Sequence, residues 1–417
     1  MKNKSAKKRS KNQLRLEALL SSAGAKVVDP ATVAKPKPAQ KPARKPAPRP
    51  VPVSVKAEET RPVGKSKPPR SRIEKPRQPA KENRKSPPPP VDDDLPPRIG
   101  WLLQCPPGLS KTMQRELNFI GAIARDQKVF NRLQRNHDLM FIGDAKDGAS
   151  FEKSRVAEMV LKCPAYGRYK ISKRQLQAMA DSVKELGPRR LVVSIAGQHF
   201  NRQDLGRFLA RELEARGAKI EDGIEDEVWM FCIDQDWYFG LPVKKARDAD
   251  GREAREEERR GSLPPPVAAA LAFASMVRND DVVLDPTCGS GTLLAETHSY
   301  APSAHLIGFD LDPSAIKIAK ANLKHVIESE LHAGDFRKAE LTNANVTLTL
   351  ANLPFGKQFG SKTTNADLYA DVVKRSLELR DPDRPWRGDF LTSDDGAFAK
   401  ATKANPGLSV ETLFKVK

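Results

Sequence analysis

The segment Asp285-Pro-Thr-Cys-Gly-Ser-Gly follows the apolar run Val282, Val283, Leu284 and precedes Thr292, Leu293, Leu294. A β-branched run that ends in an acid and two closely spaced glycines before a helical pattern predicts a strand, a tight turn and a helix N-terminus. Such a turn suits a cofactor, because glycine lets backbone approach a ligand and the helix end offers free N–H groups and a positive dipole. A pyrophosphate or an amino-acid carboxylate would fit it. The Gly289-x-Gly291 spacing lacks the third glycine of a dinucleotide turn, and no Lys-Ser/Thr pair follows, so a nicotinamide cofactor and a phosphate loop are both disfavoured.

The pattern around this turn is regular. Strand-like runs at Val282–Leu284, His305–Phe309, Leu331–Gly334 and Val346–Ala351 alternate with helical patterns at Thr292–Ser299 and Pro313–Val326. That alternation predicts an α/β fold built of right-handed βαβ units around a parallel sheet. Ligands of such sheets sit beyond the carboxyl ends of the strands. Four polar residues are expected to close the four strands there: Asp285, Asp310, Asp335 and Asn352. Asp310 can accept both hydroxyls of a ribose, and Asp335 can accept an adenine amino group. Asp312 and Pro313 suit the N-cap and first turn of the next helix instead. Taken singly, each acid is more readily a cap or a surface residue than a ligand. Taken in register with the turn residues Thr287, Gly289 and Gly291, they describe an adenosyl pocket.

Asn352-Leu-Pro-Phe-Gly carries the most specific chemistry. An Asn amide oxygen and a backbone carbonyl held rigid by Pro354 can accept hydrogen bonds from a planar NH2 group, which aims its nitrogen lone pair at an electrophilic methyl. Phe355 can stack on the base bearing that amine. Catalysis of this kind is mostly positioning and requires neither a metal nor a covalent nucleophile. The competing reading is a buried turn capped by Asn352.

Charge is distributed unevenly along the 417 residues. Residues 1–95 hold 25 Lys and Arg against 9 Asp and Glu, and residues 1–97 hold 19 of the 34 prolines, whereas the rest of the chain is nearly balanced. Stretches such as KPKPAQKPARKPAPRP have little to bury, so residues 1–97 are expected to form a disordered basic tail. A positive tail attracts phosphate backbones without reading sequence, which makes nucleic acid the first partner to consider. A solubilising role is the plainer alternative.

The cysteines at 105, 163, 232 and 288 are too widely spaced for a zinc ribbon or a C-x-x-C pair, and the six histidines follow no ligand spacing. A reduced, cytoplasmic protein without a metal site is the expectation. The longest apolar stretch, Val267–Val277, is about half the length of a membrane span. It follows Pro264, Pro265 and Pro266, which suit the start of a buried helix.

Residues 98–243 read as a mixed α/β region. Helical patterns at Ser110–Phe119 and Gln203–Arg216 alternate with strands at Leu191–Ile195, Val228–Ile233 and Trp237–Leu241. Asp234, Gln235 and Asp236 suit a hairpin turn between the last two. On the second helix Leu205, Phe208, Leu209 and Leu213 share a face, which leaves Arg202, Arg207, Arg211 and Arg216 mostly toward solvent. The charged stretch 244–262 suits a linker, and residues 263–417 form the domain that carries the turn.

The region from about 259 to 393 resembles class I S-adenosylmethionine-dependent methyltransferases of the RNA methylase family, including the THUMP-domain guanine-N2 enzymes. DPTCGSGTLL is similar to the family's D-P-x-C-G-S-G-T signature, GFDLDP to its ribose-binding segment and AGDF to its adenine-binding segment; RRGSLPPPVAAALAF resembles its preceding helix. The resemblance implies a Rossmann-like sheet and S-adenosylmethionine as cofactor. By it Asn352, Pro354 and Phe355 are catalytic, and Asp285, Thr287, Gly289, Gly291, Asp310 and Asp335 bind the cofactor. It further implies that the substrate is structured RNA, either tRNA or rRNA. Leu353 departs from the general Asn/Asp-Pro-Pro-Tyr/Phe pattern and is similar to the L-P-F-G form of some THUMP-containing tRNA methyltransferases. By the same resemblance Gly108–Gly121 and Val192–Leu241 look like a ferredoxin-like plus THUMP RNA-binding module. Adenine N6 or a protein glutamine amide would fit the same turn. An RNA-binding protein keeping the fold as scaffold is the non-enzymatic alternative.

Removal of residues 1–95 is expected to weaken RNA binding at low salt and to flatten the dependence of log K on log salt, with little effect on the chemical step. Filter binding across a salt series checks this, and equal slopes for the full-length and truncated proteins would rule it out.

Overall fold

The computed structural model describes residues 99–133, 137–143, 148–168, 170–196, 201–245, 262–341, 344–354, 362–403, 405 and 408–416. The expected basic tail and most of the charged linker lie outside the described residues.

Residues 100–245 form a seven-stranded sheet. Its strands are β1 (Gly100–Cys105), β2 (Phe130–Leu133), β3 (Asp138–Gly143), β4 (Met159–Arg168), β5 (Arg190–Ala196), β6 (Glu227–Ile233) and β7 (Asp236–Lys245), in the order β2-β3-β1-β4-β7-β6-β5. All neighbours are antiparallel except β5 and β6. The β6–β7 hairpin turns at Asp234, whose φ of 53° lies in the left-handed region that Asp tolerates. Helix α1 (Ser110–Phe119) covers one end of the sheet; α2 (Lys173–Lys184) and α3 (Arg202–Glu214) cover the other.

Sequence reading draws neither β1 nor α2. Along β1, Trp101, Leu103 and Cys105 enter one core while Leu102 enters another. Burial on both faces erases the polar alternation that marks a half-exposed strand. Helix α2 does carry its signal: Leu176, Met179, Ala180 and Val183 are buried at helical spacing, and Ser172 with Gln175 forms a capping box. On α3, Leu209 and Leu213 are buried as expected, but Phe208 is 48% exposed and lies outside the apolar face.

Residues 262–403 build the second sheet, with strands β8 (Val282–Asp285), β9 (His305–Asp310), β10 (Ser329–Ala333), β11 (Leu348–Asn352) and β12 (Arg387–Leu391). The order is β10-β9-β8-β11-β12 and every neighbouring pair is parallel. The helices are α4 (Pro265–Ala274), α5 (Thr292–Tyr300), α6 (Pro313–Asn322), α7 (Lys362–Glu378) and α8 (Asp395–Lys403). Two prolines open α4, whose residues from Pro266 to Ala272 are all buried. Helix α6 stops at Asn322, short of the expected Val326, and the Asn322 side chain donates to the Ser290 carbonyl at 3.0 Å. The open α/β class with a parallel sheet is as the sequence implies. No described helix is long and apolar enough to cross a membrane.

Because Leu209 is fully buried and Phe208 is not, Leu209→Ala is expected to lower the unfolding free energy by about 2–5 kcal/mol. Phe208→Ala should stay within about 0.5 kcal/mol. Urea unfolding followed by circular dichroism compares the two.

Candidate active site

Strand order places a topological switch point at β8, which has β9 on one side and β11 on the other. Chains β8-β9-β10 run one way from this point and β11-β12 run the other, so a crevice opens beyond the strand ends. Asp285, Asp310 and Asn352 are the last residues of β8, β9 and β11. Asp335 lies two residues beyond β10 and caps a short helical turn, so it does not close its strand.

The glycine turn has the geometry its sequence requires. Gly289 and Gly291 take φ of 54° and 77°, and Gly291 is the N-cap of α5. A Cβ on Gly291 would stand 3.0 Å from Leu323 and 3.2 Å from Ala319, whereas one on Gly289 would face open space. Gly291 thus serves packing, and Gly289 leaves room for a ligand. Asp310 holds the turn from β9: its Oδ2 accepts the Gly289 N–H at 3.0 Å and its Oδ1 accepts the Asp312 N–H at 2.9 Å. Each oxygen keeps a further lone-pair direction. Asp312 caps α6 through the Ser314 N–H at 2.8 Å, as expected.

Asp285 is buried beneath the turn and accepts the Thr287 N–H at 3.0 Å. Burial, with a smaller contribution from nearby Asp310 and against the Thr287 hydrogen bond, pushes its carboxyl up to about 8. Asp335 is the opposite case. Arg337 donates to both its oxygens, at 2.9 and 2.8 Å, and holds this carboxyl below its ordinary range.

Thr287 joins the two halves of the crevice, since its hydroxyl donates to the Asn352 carbonyl at 3.3 Å. The Asn352 Oδ1 is buried and has no hydrogen-bond partner among the described residues. Leu353 is anchored beside it. Its N–H donates to the Leu391 carbonyl at 3.0 Å, and its side chain is buried among Ala351, Tyr369 and Val372. The Pro354 carbonyl accepts the hydroxyl of Tyr369 at 2.9 Å. Phe355 lies outside the described residues.

Sequence reasoning misses three participants. Tyr369 comes from α7, and nothing near Pro354 in the chain points to it. Leu311, directly after Asp310 at the end of β9, is 71% exposed, a signal visible as a lone apolar residue between two acids. Ser262, in the segment before α4, has its hydroxyl 2.9 Å from that of Ser290 in the turn.

A parallel sheet with this strand order, a glycine turn after its first strand and an Asn-x-Pro turn across the switch point define a Rossmann-like methyltransferase fold. Residues 252–417 match the family described as UPF0020: RMKL-like, methyltransferase domain. The tRNA (guanine(6)-N(2))-methyltransferase THUMP3 of Bos taurus is 28% identical over 135 residues, 29% of this chain and 26% of that protein. The U6 snRNA (guanine-N(2))-methyltransferase THUMPD2 of Bos taurus is 28% identical over 136 residues, 32% of this chain and 26% of that protein. This chain therefore spans about a quarter of the length of these relatives. The crystal structure of TrmN from Thermus thermophilus has the same fold, with a TM-score of 0.60 over 73% of this chain and 91% of that one at 22% identity.

The raised Asp285 carboxyl makes stability depend on pH. In the unfolded chain it ionises near pH 4, as a rough reference value, whereas in the folded protein it keeps its proton up to about 8. The folded state binds more protons between these limits, so stability falls as pH rises through them. Asp285→Asn retains the Thr287 bond and cannot ionise. Between about pH 5 and about pH 8 the wild type is expected to lose more melting temperature than this variant, as calorimetric scans would show.

Proposed function

We propose that the protein is an S-adenosylmethionine-dependent methyltransferase acting on an exocyclic amine in structured RNA, with guanine N2 of a tRNA as the leading target. The observation that carries this reading is the buried Asn352 Oδ1 without a partner, set across the switch point from an open glycine turn. A buried acceptor left without a donor costs about 1–3 kcal/mol. The N–H of a substrate amine would satisfy it. The guanine-N2 activity and RNA substrates in the relatives' names agree with that chemistry.

The residues present fit the cofactor. Asp310 would take the ribose hydroxyls on its remaining lone pairs, and Leu311 would lie against the base. Asp335 would accept the adenine amino group on Oδ2, where Arg337 fills only one direction. Gly289 leaves space for the amino-acid end beside the N-terminus of α5. The cofactor, when bound, supplies an electrophilic methyl group.

The chain's own part is positioning. Asn352 Oδ1 accepts one amine N–H and so turns the nitrogen lone pair toward the methyl. Tyr369 fixes the Pro354 carbonyl, and with Leu353 locked to Leu391 the turn keeps its shape. Phe355, outside the described residues, would stack on the base by the sequence reading. The amine proton leaves to water once the new N–C bond has formed. Residues 98–243, read as a ferredoxin-like plus THUMP module, would hold the RNA, and residues 263–417 would perform the transfer.

Asn352→Ala is expected to lower methyl transfer to tRNA transcripts by about 100-fold or more, while cofactor affinity stays within about threefold. Mass spectrometry of the product nucleosides identifies the target. N6-methyladenosine, a methylated protein glutamine, or full activity in the variant would each replace this assignment.

A further inference from the structure

The helix that begins at the glycine turn ends in a buried polar cluster outside the methyltransferase segment. Tyr300, the last residue of α5, donates its hydroxyl to Glu116 Oε1 on α1 at 2.5 Å. Glu116 is fully buried. Its Oε1 also accepts the Arg155 N–H at 2.8 Å, and its Oε2 accepts the Ser154 hydroxyl at 2.5 Å and the Val156 N–H at 3.3 Å. One turn back along α5, Glu296 pairs with Arg155 Nε at 2.6 Å, and its side chain is 4% exposed. Phe119, Phe273 and Tyr300 form a chain of ring contacts around the cluster.

An apolar contact alone tolerates sliding, because its energy follows area and not direction. A desolvated carboxylate does not: it is stable only while all its donors stay in place, and these come from two separate segments, residues 154–156 and the end of α5. The junction therefore gives α5 one preferred orientation. With a helical rise of about 1.5 Å per residue, tilting this helix by about 5° at Tyr300 would move its N-terminus by about 1 Å. A misplacement of about 1 Å at a reacting centre can cost about 100-fold in rate.

We propose that Glu116, Ser154 and Arg155 are positioning residues for the cofactor turn: by gripping the far end of α5 they set the placement of Gly289 and Gly291. The inference rests on the S-adenosylmethionine reading above. It assigns part of the cofactor site's geometry to residues 116, 154 and 155, which precede the matched segment 252–417.

The test uses the full-length protein and S-adenosylhomocysteine as probe, titrated calorimetrically well below the melting temperature so that only folded protein is measured. Tyr300→Phe removes one hydroxyl, and Glu116→Gln weakens the whole cluster. Each is expected to raise the Kd by about tenfold. The double variant should raise the Kd by less than the product of the two single effects, because both substitutions act on the same bond. Ser299→Ala, on the exposed side of the same helix, should leave the Kd unchanged. If Glu116→Gln does not fold, Tyr300→Phe alone decides. Lowered melting temperatures with wild-type Kd values would reduce the cluster to a purely structural role and overturn the inference alone. A wild-type protein that binds no S-adenosylhomocysteine would overturn the functional reading, and the inference with it.

Discussion

The hydrogen bond from the Gly289 N–H to Asp310 is the joint on which the site depends. Gly289 sits in left-handed backbone that needs a fixed partner to stay ordered, and a carboxylate acceptor gives a stronger bond than a neutral one. The same strand end reaches further. The Phe309 carbonyl accepts the Cys288 N–H at 2.7 Å, and the Asp310 carbonyl accepts the Gly334 N–H at 2.9 Å. One dipeptide at the end of β9 thus ties the cofactor turn on one side to the β10 loop on the other. The loops that would surround an adenosyl group are held by these backbone bonds and by one N–H on each Asp310 carboxylate oxygen, which leaves the remaining lone pairs for the ligand.

Across the switch point the economy is reversed. Asn352 keeps a buried oxygen without a donor, a local cost that a structural turn would avoid by capping itself. Its neighbours absorb that cost. Leu353 is buried and bonded to β12, and Tyr369 is fully buried with its hydroxyl on Pro354 and a further bond from Thr392 at 3.1 Å. A polar atom left unsatisfied among neighbours that are anchored by hydrogen bonds is the pattern expected of a preorganised acceptor. Leu353 now has a physical explanation. At this position the side chain serves packing against α7 and α8, so an apolar residue of its size suits the buried slot as a ring would not need to.

Much of this was legible in the chain, and the remainder had specific reasons to be hidden. The strand, turn and helix around Asp285 are readable because an apolar run ends abruptly in an acid and two glycines. The hairpin at Asp234 and the cap at Asp312 are readable for similar local reasons. Spatial order is not. That β11 returns to lie beside β8, bringing Asn352 next to Thr287, follows from sheet topology and leaves no local mark. Tyr369 and Glu116 are hidden for the same reason, since each acts on a group far away in the chain. Strand β1 is hidden differently, by burial on both faces, and Asp335 is misplaced by two residues because an acid in a capping turn reads like one at a strand end.

These two kinds of residue, local and distant, divide the work in a way that follows from the chemistry. The proposed methyl transfer to an amine would ask the protein for placement more than for acids and bases, and placement to within an ångström is not a property of any single turn. A glycine turn is soft in isolation. Its precision must come from the elements it joins, here β9 through Asp310 and α5 through its far end. The first is the carboxylate at the end of β9, which holds the Gly289 N–H. The second comes from a carboxylate with four donors at the junction with the N-terminal sheet, a group whose burial is tolerable only in one arrangement. On the proposed function, the region that would hold the substrate thereby also bears on the cofactor turn.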